Sequence, residues 1–138
     1  MTATFTVAGA PRGKQRPKFS SRGGHVNVRT PAETVQYENW VRLAYRQANF
    51  PMLRDGAIWL DIKAFYPIPK SVKKADREQI AAGKYKITKG DIDNVIKAIS
   101  DALNGVAYTD DARIAKISGE KRYSEDARVE VTLYELND

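Results

Sequence analysis

The amino-acid sequence predicts an α+β fold in which about three helices pack against a small mixed or antiparallel sheet. Segments with the two-residue alternation of strands are interspersed with segments that have the three-to-four-residue spacing of helices. No linker, internal repeat or low-complexity tract divides the 138 residues. Since a chain of this length buries a sizeable hydrophobic core without disulfides or metals, residues 1–138 are predicted to form one domain.

The first elements are a strand and a basic hairpin or loop. In ATFTVAG, Phe5 and Val7 alternate with threonines, which predicts a half-buried strand that ends at Gly9. The segment PRGKQRPKFSSRGGHVNVRTP then surrounds Gly23-Gly24, a turn signal. Its cations are Arg12, Lys14, Arg16, Lys18, Arg22 and Arg29.

A first helix is predicted to begin at Thr30-Pro31-Ala32-Glu33. This pattern places a capping threonine, a proline at the first helical position and a glutamate at the third. Apolar residues then recur at helical spacing and predict a buried stripe that lasts until about 49–51. The stripe consists of Tyr37, Trp40, Val41, Ala44, Tyr45 and Ala48.

A second strand and a second helix follow. The segment AIWLDIKAFYP alternates apolar and mixed positions and is ended by Pro67 and Pro69. In SVKKADREQIAAG, Ser71 is a possible cap and Gly83 a stop. Because this helix has few apolar positions and many cations, it is predicted to be exposed and basic.

The third helix and two closing strands complete the fold. The helix is predicted to end at Asn104-Gly105, and ARIAKISGEKRY and ARVEVTLYEL are predicted to form an antiparallel pair joined through SED. The buried stripe of the helix consists of Ile92, Val95, Ile96, Ile99, Ala102 and Leu103.

Composition excludes several kinds of site. The chain has no cysteine, which rules out thiol catalysis and thiolate zinc sites, and its single histidine, His25, makes a histidine metal centre or a Ser-His-Asp triad hard to build. No apolar run approaches the about 20 residues of a membrane span, and MTATFTVAGAP lacks the features of a secretory signal. A cytoplasmic protein without a membrane partner is expected. The net charge of +6 favours a polyanionic partner.

Residues 89–111, KGDIDNVIKAISDALNGVAYTDD, concentrate acids in this basic chain. Asp93, Lys97 and Asp101 follow one another at four-residue intervals along one face of the third helix. One interpretation is structural: Asp93 caps the helix or lies in its first turn, and the three residues form a solvated ion-pair ladder.

A second interpretation of this stretch is a metal site. Asp91 lies two residues before Asp93 and points to the same side, and the VAYT connection is expected to return Asp110 and Asp111 beside the helix start. Carboxylates that converge without histidine or cysteine form the oxygen site that Mg²⁺ and Mn²⁺ prefer. Lys97 is then placed to offset charge on a phosphate or to orient water.

These residues resemble the RusA-type Holliday junction resolvases. The shared pattern is D-x-D-N-x-x-K, then DAL, then a D-D pair, and GAPRGKQRPKFS resembles an N-terminal element common among phage and prophage members. The resemblance implies a homodimeric, Mg²⁺-dependent endonuclease that resolves four-way or branched DNA by paired phosphodiester hydrolysis in recombination and repair. Mn²⁺ is an alternative cofactor.

The resemblance also assigns residues by position. Asp91, Asp93 and Asp111 would be catalytic, metal-binding acids, with Asp110 a further metal-binding candidate, and Lys97 would be the catalytic lysine. The predicted contacts to DNA come from Arg12, Lys14, Arg16, Lys18 and Lys89.

Two other functions remain open from the sequence. Asp61-Ile62-Lys63, with Asp55 upstream, matches the [D/E]-x-K part of restriction-type nucleases. A non-catalytic DNA-binding module would instead use the basic surface and leave the acids as caps and ion pairs.

Overall fold

A computed structural model describes residues 1–15, 18–29 and 31–136, with the side chains of the hairpin described only in part. It contains six strands, three helices and a short 3₁₀ turn, and confirms the predicted α+β class. The elements in chain order are β1 Thr2–Ala8, β2 Lys18–Arg22, β3 His25–Arg29, α1 Ala32–Gln47, β4 Ala57–Pro67, α2 Lys74–Ala81, α3 Ile92–Leu103, the 3₁₀ turn Asp111–Arg113, β5 Ile114–Ser124 and β6 Arg128–Leu136.

The main sheet is mixed, with the strand order β1-β6-β4-β5. β4 pairs antiparallel with β6 and parallel with β5. The predicted antiparallel pairing of the two closing strands is therefore wrong, because β4 lies between them. The chain between β4 and β5 contains α2 and α3 and is long enough for the crossover that parallel pairing requires.

Helices α1 and α3 contact each other, and the core lies between them and one face of the sheet. β4 contributes Ile58, Leu60 and Ile62, all fully buried. The predicted stripe of α3 is confirmed, with Ile92 and Ile96 packed at the edge of the core. The buried residues of α3 are Val95, Ala98, Ile99, Ala102 and Leu103.

Helix α1 departs from prediction at its start and at one aromatic residue. Thr30 lies outside the described residues, and Pro31 occupies the capping position instead of the first helical one. Tyr37 and Tyr45 are buried as predicted, but Trp40 is 47% exposed and donates its indole N–H to the Ala8 carbonyl at 2.8 Å. The helical rotation of about 100° per residue carries Trp40 to the margin of the buried stripe.

Two predicted surface elements are present. Gly23 and Gly24 both have positive φ, at 58° and 81°, as tight hairpin turns require, and they join β2 to β3. Helix α2 buries no residue and ends before Gly83, but it begins at Lys74 without a side-chain cap from Ser71. Among the described helices, none is long and apolar enough to span a membrane.

Candidate functional site

Asp91 is the residue that caps α3. Its Oδ1 accepts the backbone N–H of Asp93 at 3.0 Å, and its Oδ2 accepts the side-chain amide of Asn94 at 3.1 Å. Asp93 lies in the first turn, as the structural interpretation expected, and both carboxylates are exposed. The cap explains why an acid stands at position 91, and it leaves lone pairs on both oxygens for another ligand.

The acids of α3 extend along the helix as a stripe. Asp93 and Asp101 are separated by eight residues, which corresponds to about 12 Å along the axis. Lys97 lies midway and is exposed. Within the described part of the chain, its ammonium group makes no hydrogen bond or ion pair.

Asp110 and Asp111 lie at the 3₁₀ turn. Asp110 Oδ1 accepts the N–H of Ala112 at 3.0 Å, and this bond lowers the pKa of Asp110. A hydrogen bond shared with Asp110 raises the pKa of Asp111, and the charges of Asp110 and Asp101 add to the rise. The negative charge of Asp101, in the last turn of α3, therefore acts on the Asp111 carboxyl group.

The return of Asp111 beside Asp91, which the sequence predicted, is not seen in this structure. The connection after α3 folds against the end of the helix, with the N–H groups of Val106 and Ala107 bonded to the Leu103 carbonyl. Tyr108 is fully buried and donates its hydroxyl to the Ser100 carbonyl at 2.6 Å. These contacts hold the connection at the far end of the helix.

The carboxylates therefore occupy two places on the protein. Asp91 and Asp93 lie at the start of α3, and Asp101 influences Asp111 near its end. Over the residues described, no three acidic, histidine or cysteine side chains are close enough together to hold a metal ion. The chemistry of the donors still fits a hard divalent cation, since all are carboxylates.

In the segment before α1, Gly13 and Lys14 lie against α3. Lys14 forms an ion pair with Asp101, and its backbone N–H donates to the Asn94 carbonyl at 3.0 Å. A Cβ on Gly13 would lie 2.9 Å from the Asn94 Cβ, so this position accepts no larger residue without a shift. The Lys14 charge, which was predicted to contact DNA, is paired with Asp101 in the protein alone.

Arg12 is exposed and lines a cavity of about 270 Å³ together with Tyr37 of α1. The Tyr37 hydroxyl is buried and has no hydrogen-bond partner among the described residues. Burial raises the pKa of Tyr37 to about 12, and the nearby backbone N–H of Arg12 opposes the rise without reaching hydrogen-bond geometry. Of the other predicted DNA contacts, Arg16 and the side chain of Lys18 lie outside the described residues.

Three residues around the entrance to α3 were not identified from the sequence. Gly90 has a φ of 85°, and a Cβ there would lie 2.3 Å from the Tyr66 hydroxyl. Lys121 of β5 donates its ammonium group to the Gly90 carbonyl at 2.8 Å and to the Lys89 carbonyl at 3.4 Å. The glycine directly before Asp91 could have indicated a special backbone conformation at the entrance to α3. Nothing in the strand pattern of β5 distinguishes Lys121 from the other lysines.

Lys89 is exposed and lines a second cavity, of about 490 Å³, between α2 and the segment before α3. Lys73 and Lys86 also line this cavity. Burial raises the pKa of Tyr66, and the negative charge of Asp91 adds to the rise.

The alternative site around Asp61 has a different arrangement. Asp61 Oδ1 accepts the hydroxyl of Ser118 at 2.6 Å, and Ser118 in turn accepts the indole N–H of Trp59 at 2.8 Å. Trp59 and Asp61 occupy positions of β4 that alternate with the core residues, and Ser118 lies on the neighbouring strand β5. The Asp61 carboxylate is engaged in a hydrogen-bond network of the sheet, which explains the residue without catalysis.

The chain is similar to a known protein family and to a bacterial protein. Residues 8–134 match the family described as Endodeoxyribonuclease RusA, and this range includes all the candidate site residues from Arg12 to Asp111. The chain is also 36% identical over 136 residues to a Bacillus subtilis (strain 168) protein described as "Uncharacterized protein YqaN". That alignment covers 96% of each chain.

Proposed function

Because this chain belongs to the RusA family of endodeoxyribonucleases, which resolve Holliday junctions, we propose that it is a divalent-metal-dependent enzyme of DNA recombination and repair, acting in the cytoplasm. The observation that carries the proposal is the polar stripe of α3, in which the exposed Lys97 lies between Asp93 and Asp101. The family match covers this stripe completely.

Asp91, Asp93 and Asp111 are proposed to hold Mg²⁺, or Mn²⁺, with Asp110 as a further ligand, once dimer formation or DNA binding brings the acids from the two ends of α3 together. All four are carboxylates, the oxygen donors that a hard divalent cation prefers. When bound, such a cation supplies positive charge to a phosphate oxygen and lowers the pKa of water.

The side chains of the protein would orient the DNA for hydrolysis. Lys97 is exposed and about 6 Å along the helix axis from both Asp93 and Asp101, so its ammonium can approach a phosphate held between the acids. There it would offset the charge that develops on the phosphate or orient the attacking water. Asp91 would be fixed in direction by the two hydrogen bonds that its carboxylate accepts.

Contacts to the DNA backbone are proposed for Arg12 and Lys89, which are exposed, and for the basic segment 69–90. This segment carries seven Lys and Arg residues and only two acids. Since α2 buries no residue, its cations are available to phosphates and are not required by the core. The proposed contacts of Lys14, Arg16 and Lys18 are retained as predictions.

The active form is proposed to be a homodimer. Resolution of a four-way junction requires cuts in two strands related by two-fold symmetry, and a two-fold dimer presents one equivalent site to each strand. Sedimentation at micromolar protein concentration, with and without the junction, measures this directly. A monomer that cuts single strands independently would contradict it.

The deciding experiment is cleavage of a synthetic four-way junction with Mg²⁺ by the unmodified protein and by Asp93→Asn. We expect paired nicks from the former and at least about a 100-fold loss in the variant. Asp126→Asn, the same change at an exposed acid in the β5–β6 turn, is the control and should cleave normally. Full activity of Asp93→Asn would contradict the proposed site, and junction binding without cleavage in Mg²⁺ or Mn²⁺ would favour the non-catalytic module.

A further inference from the structure

Residues 83–90, which lead from α2 into α3, are attached to β5 by polar contacts at both ends. At the first end, Arg122 donates to the Gly83 carbonyl at 3.3 Å and to the Tyr85 hydroxyl at 2.8 Å, and its guanidinium lies 4.6 Å from the centre of the Tyr85 ring. At the second end, Lys121 donates to the Lys89 and Gly90 carbonyls. The segment contains no buried residue, so hydrophobic packing does not determine its path.

The second end is also constrained sterically. Gly90 adopts a positive φ of 85° that favours glycine, and a Cβ there would lie 2.4 Å from the Tyr66 ring carbon that carries the hydroxyl. The Tyr66 ring therefore limits one side of the Gly90 peptide, while the Lys121 ammonium binds its carbonyl oxygen. That carbonyl belongs to the peptide bond that Gly90 shares with Asp91.

We propose that Lys121 is a positioning residue that sets the direction of the Asp91 carboxylate, with Tyr66 and Gly90 completing the constraint. The inference rests on the proposed metal-binding role of Asp91. A peptide plane held on its carbonyl oxygen cannot rotate freely, and Asp91 must start α3 from a fixed backbone to accept the Asp93 N–H and Asn94 amide together. Lys121 thereby acts on the site through the backbone and not through the substrate.

Amide hydrogen exchange of the metal-free protein tests this positioning without any cleavage assay. The N–H of Asp93 is bonded to the Asp91 side chain and that of Val95 to the Asp91 carbonyl, so both report the position of Asp91. In Lys121→Met we expect these two amides to exchange about tenfold faster, as the loss of one hydrogen bond from a charged donor implies. The Ile99 amide in the centre of α3 should be unchanged.

Lys116→Met is the matched control, because Lys116 lies in the same strand and approaches the Trp59 ring instead of the entrance to α3. It should leave the Asp93 and Val95 amides unchanged, and Lys121→Arg should restore most of their protection, since a guanidinium can also donate to two carbonyls. Unchanged exchange in Lys121→Met, or acceleration that extends equally to Ile99, would overturn the proposal.

If Lys121→Met does not fold, Gly90→Ala displaces the same peptide against Tyr66 while β5 remains intact. The same local acceleration at Asp93 and Val95 is expected. Exchange at wild-type rates in folded Gly90→Ala would overturn the proposal.

Enzyme kinetics separate positioning from direct contact with DNA. Lys121→Met should lower kcat on the junction at least tenfold and should change the Kd for the junction, measured without divalent cation, less than twofold. Lys121→Arg should recover most of kcat. A tenfold weaker Kd with normal kcat would instead make Lys121 a phosphate contact. If the unmodified protein cleaves no junction, the proposed function fails, and the exchange measurement still decides the positioning of Asp91.

Discussion

The two ends of α3 both carry carboxylates, but the protein holds them by different means. At the start, Asp91 follows an exposed segment that is fixed by polar contacts from Lys121. At the end, the connection to Asp111 is fixed by the fully buried Tyr108. Polar contacts in water contribute little net free energy, whereas burial of an aromatic ring contributes several kcal/mol. The start of the proposed site is thus held by polar contacts at the surface, and the end by packing in the core.

If both ends form one catalytic centre, substitutions of their acids should lower kcat equally, and the losses should not add in a double variant. Asp91→Asn and Asp111→Asn are each expected to lower kcat at least about 100-fold, and the double variant should be no worse than either single one. Asparagine is a good helix cap, so Asp91→Asn retains the start of α3. Junction cleavage under saturating DNA measures this, with Asp126→Asn as the control. Losses that multiply in the double variant would mean that the two ends act separately.

Lys97 lies between the two ends and is expected to act only in the chemical step. Lys97→Met should lower kcat by about 100-fold and leave the Kd for the junction within twofold, because one exposed lysine contributes little to binding but stabilises charge in the transition state. Single-turnover cleavage and filter binding measure the two quantities. An equal loss in both would assign Lys97 to DNA binding.

The hydrogen bond of the buried Tyr108 contributes to the stability of the connection after α3. The Tyr108 hydroxyl donates to the Ser100 carbonyl, so Tyr108→Phe is expected to lower the free energy of unfolding by about 1 kcal/mol. Urea denaturation measures this change. A neutral effect would show that packing of the ring alone holds the connection before Asp111.

The smallest effect at neutral pH is expected for Tyr37→Phe. Tyr37 of α1 and Arg12 line the same cavity. The buried Tyr37 hydroxyl has no hydrogen-bond partner within the described ranges. Its removal should leave the free energy of unfolding unchanged or raise it by up to about 1 kcal/mol. A loss as large as that of Tyr108→Phe would reveal a partner for the hydroxyl.

Alkaline pH should enlarge the difference in the free energy of unfolding between Tyr37→Phe and the unmodified protein. Burial raises the pKa of Tyr37 from 10.0 to about 12, so the folded state favours the neutral phenol. The unfolded chain loses this proton first, and stability that is complete below pH about 10 is lost as pH rises towards 12. The variant should lose less stability between these values. Equal losses in urea titrations at several pH values would contradict the assignment.

The sequence predicted the local elements well and the long-range ones less well. Short patterns correctly predicted three local features, because tertiary structure did not override them. These are the buried stripe of α3, the Gly23-Gly24 turn and the limits of β4. The place of β4 between β5 and β6 depends on a crossover, which local alternation does not encode. Trp40 was wrongly assigned to the core because helical spacing alone does not fix the width of a buried stripe.

The residues of the candidate site were predicted more readily than their arrangement. Acid type and spacing predicted Asp91, Asp93 and Asp111 as site residues, which stays a prediction, and residues 8–134, which contain them, match an endonuclease family. Their separation along α3 depends on the burial of Tyr108, a tertiary contact. Lys121 could not be found because its role arises from a backbone carbonyl that approaches it only in the folded protein.

The most direct test of a single metal centre is to measure Mn²⁺ binding in the presence of the junction on ice. Binding is monitored through the loss of the electron paramagnetic resonance signal of free Mn²⁺. We expect Asp91→Asn and Asp111→Asn each to weaken the binding of Mn²⁺ at least tenfold, while Asp126→Asn binds as the unmodified protein does. Unchanged Mn²⁺ affinity in Asp111→Asn would contradict the account, because the acids at the two ends of α3 would then not share a cation.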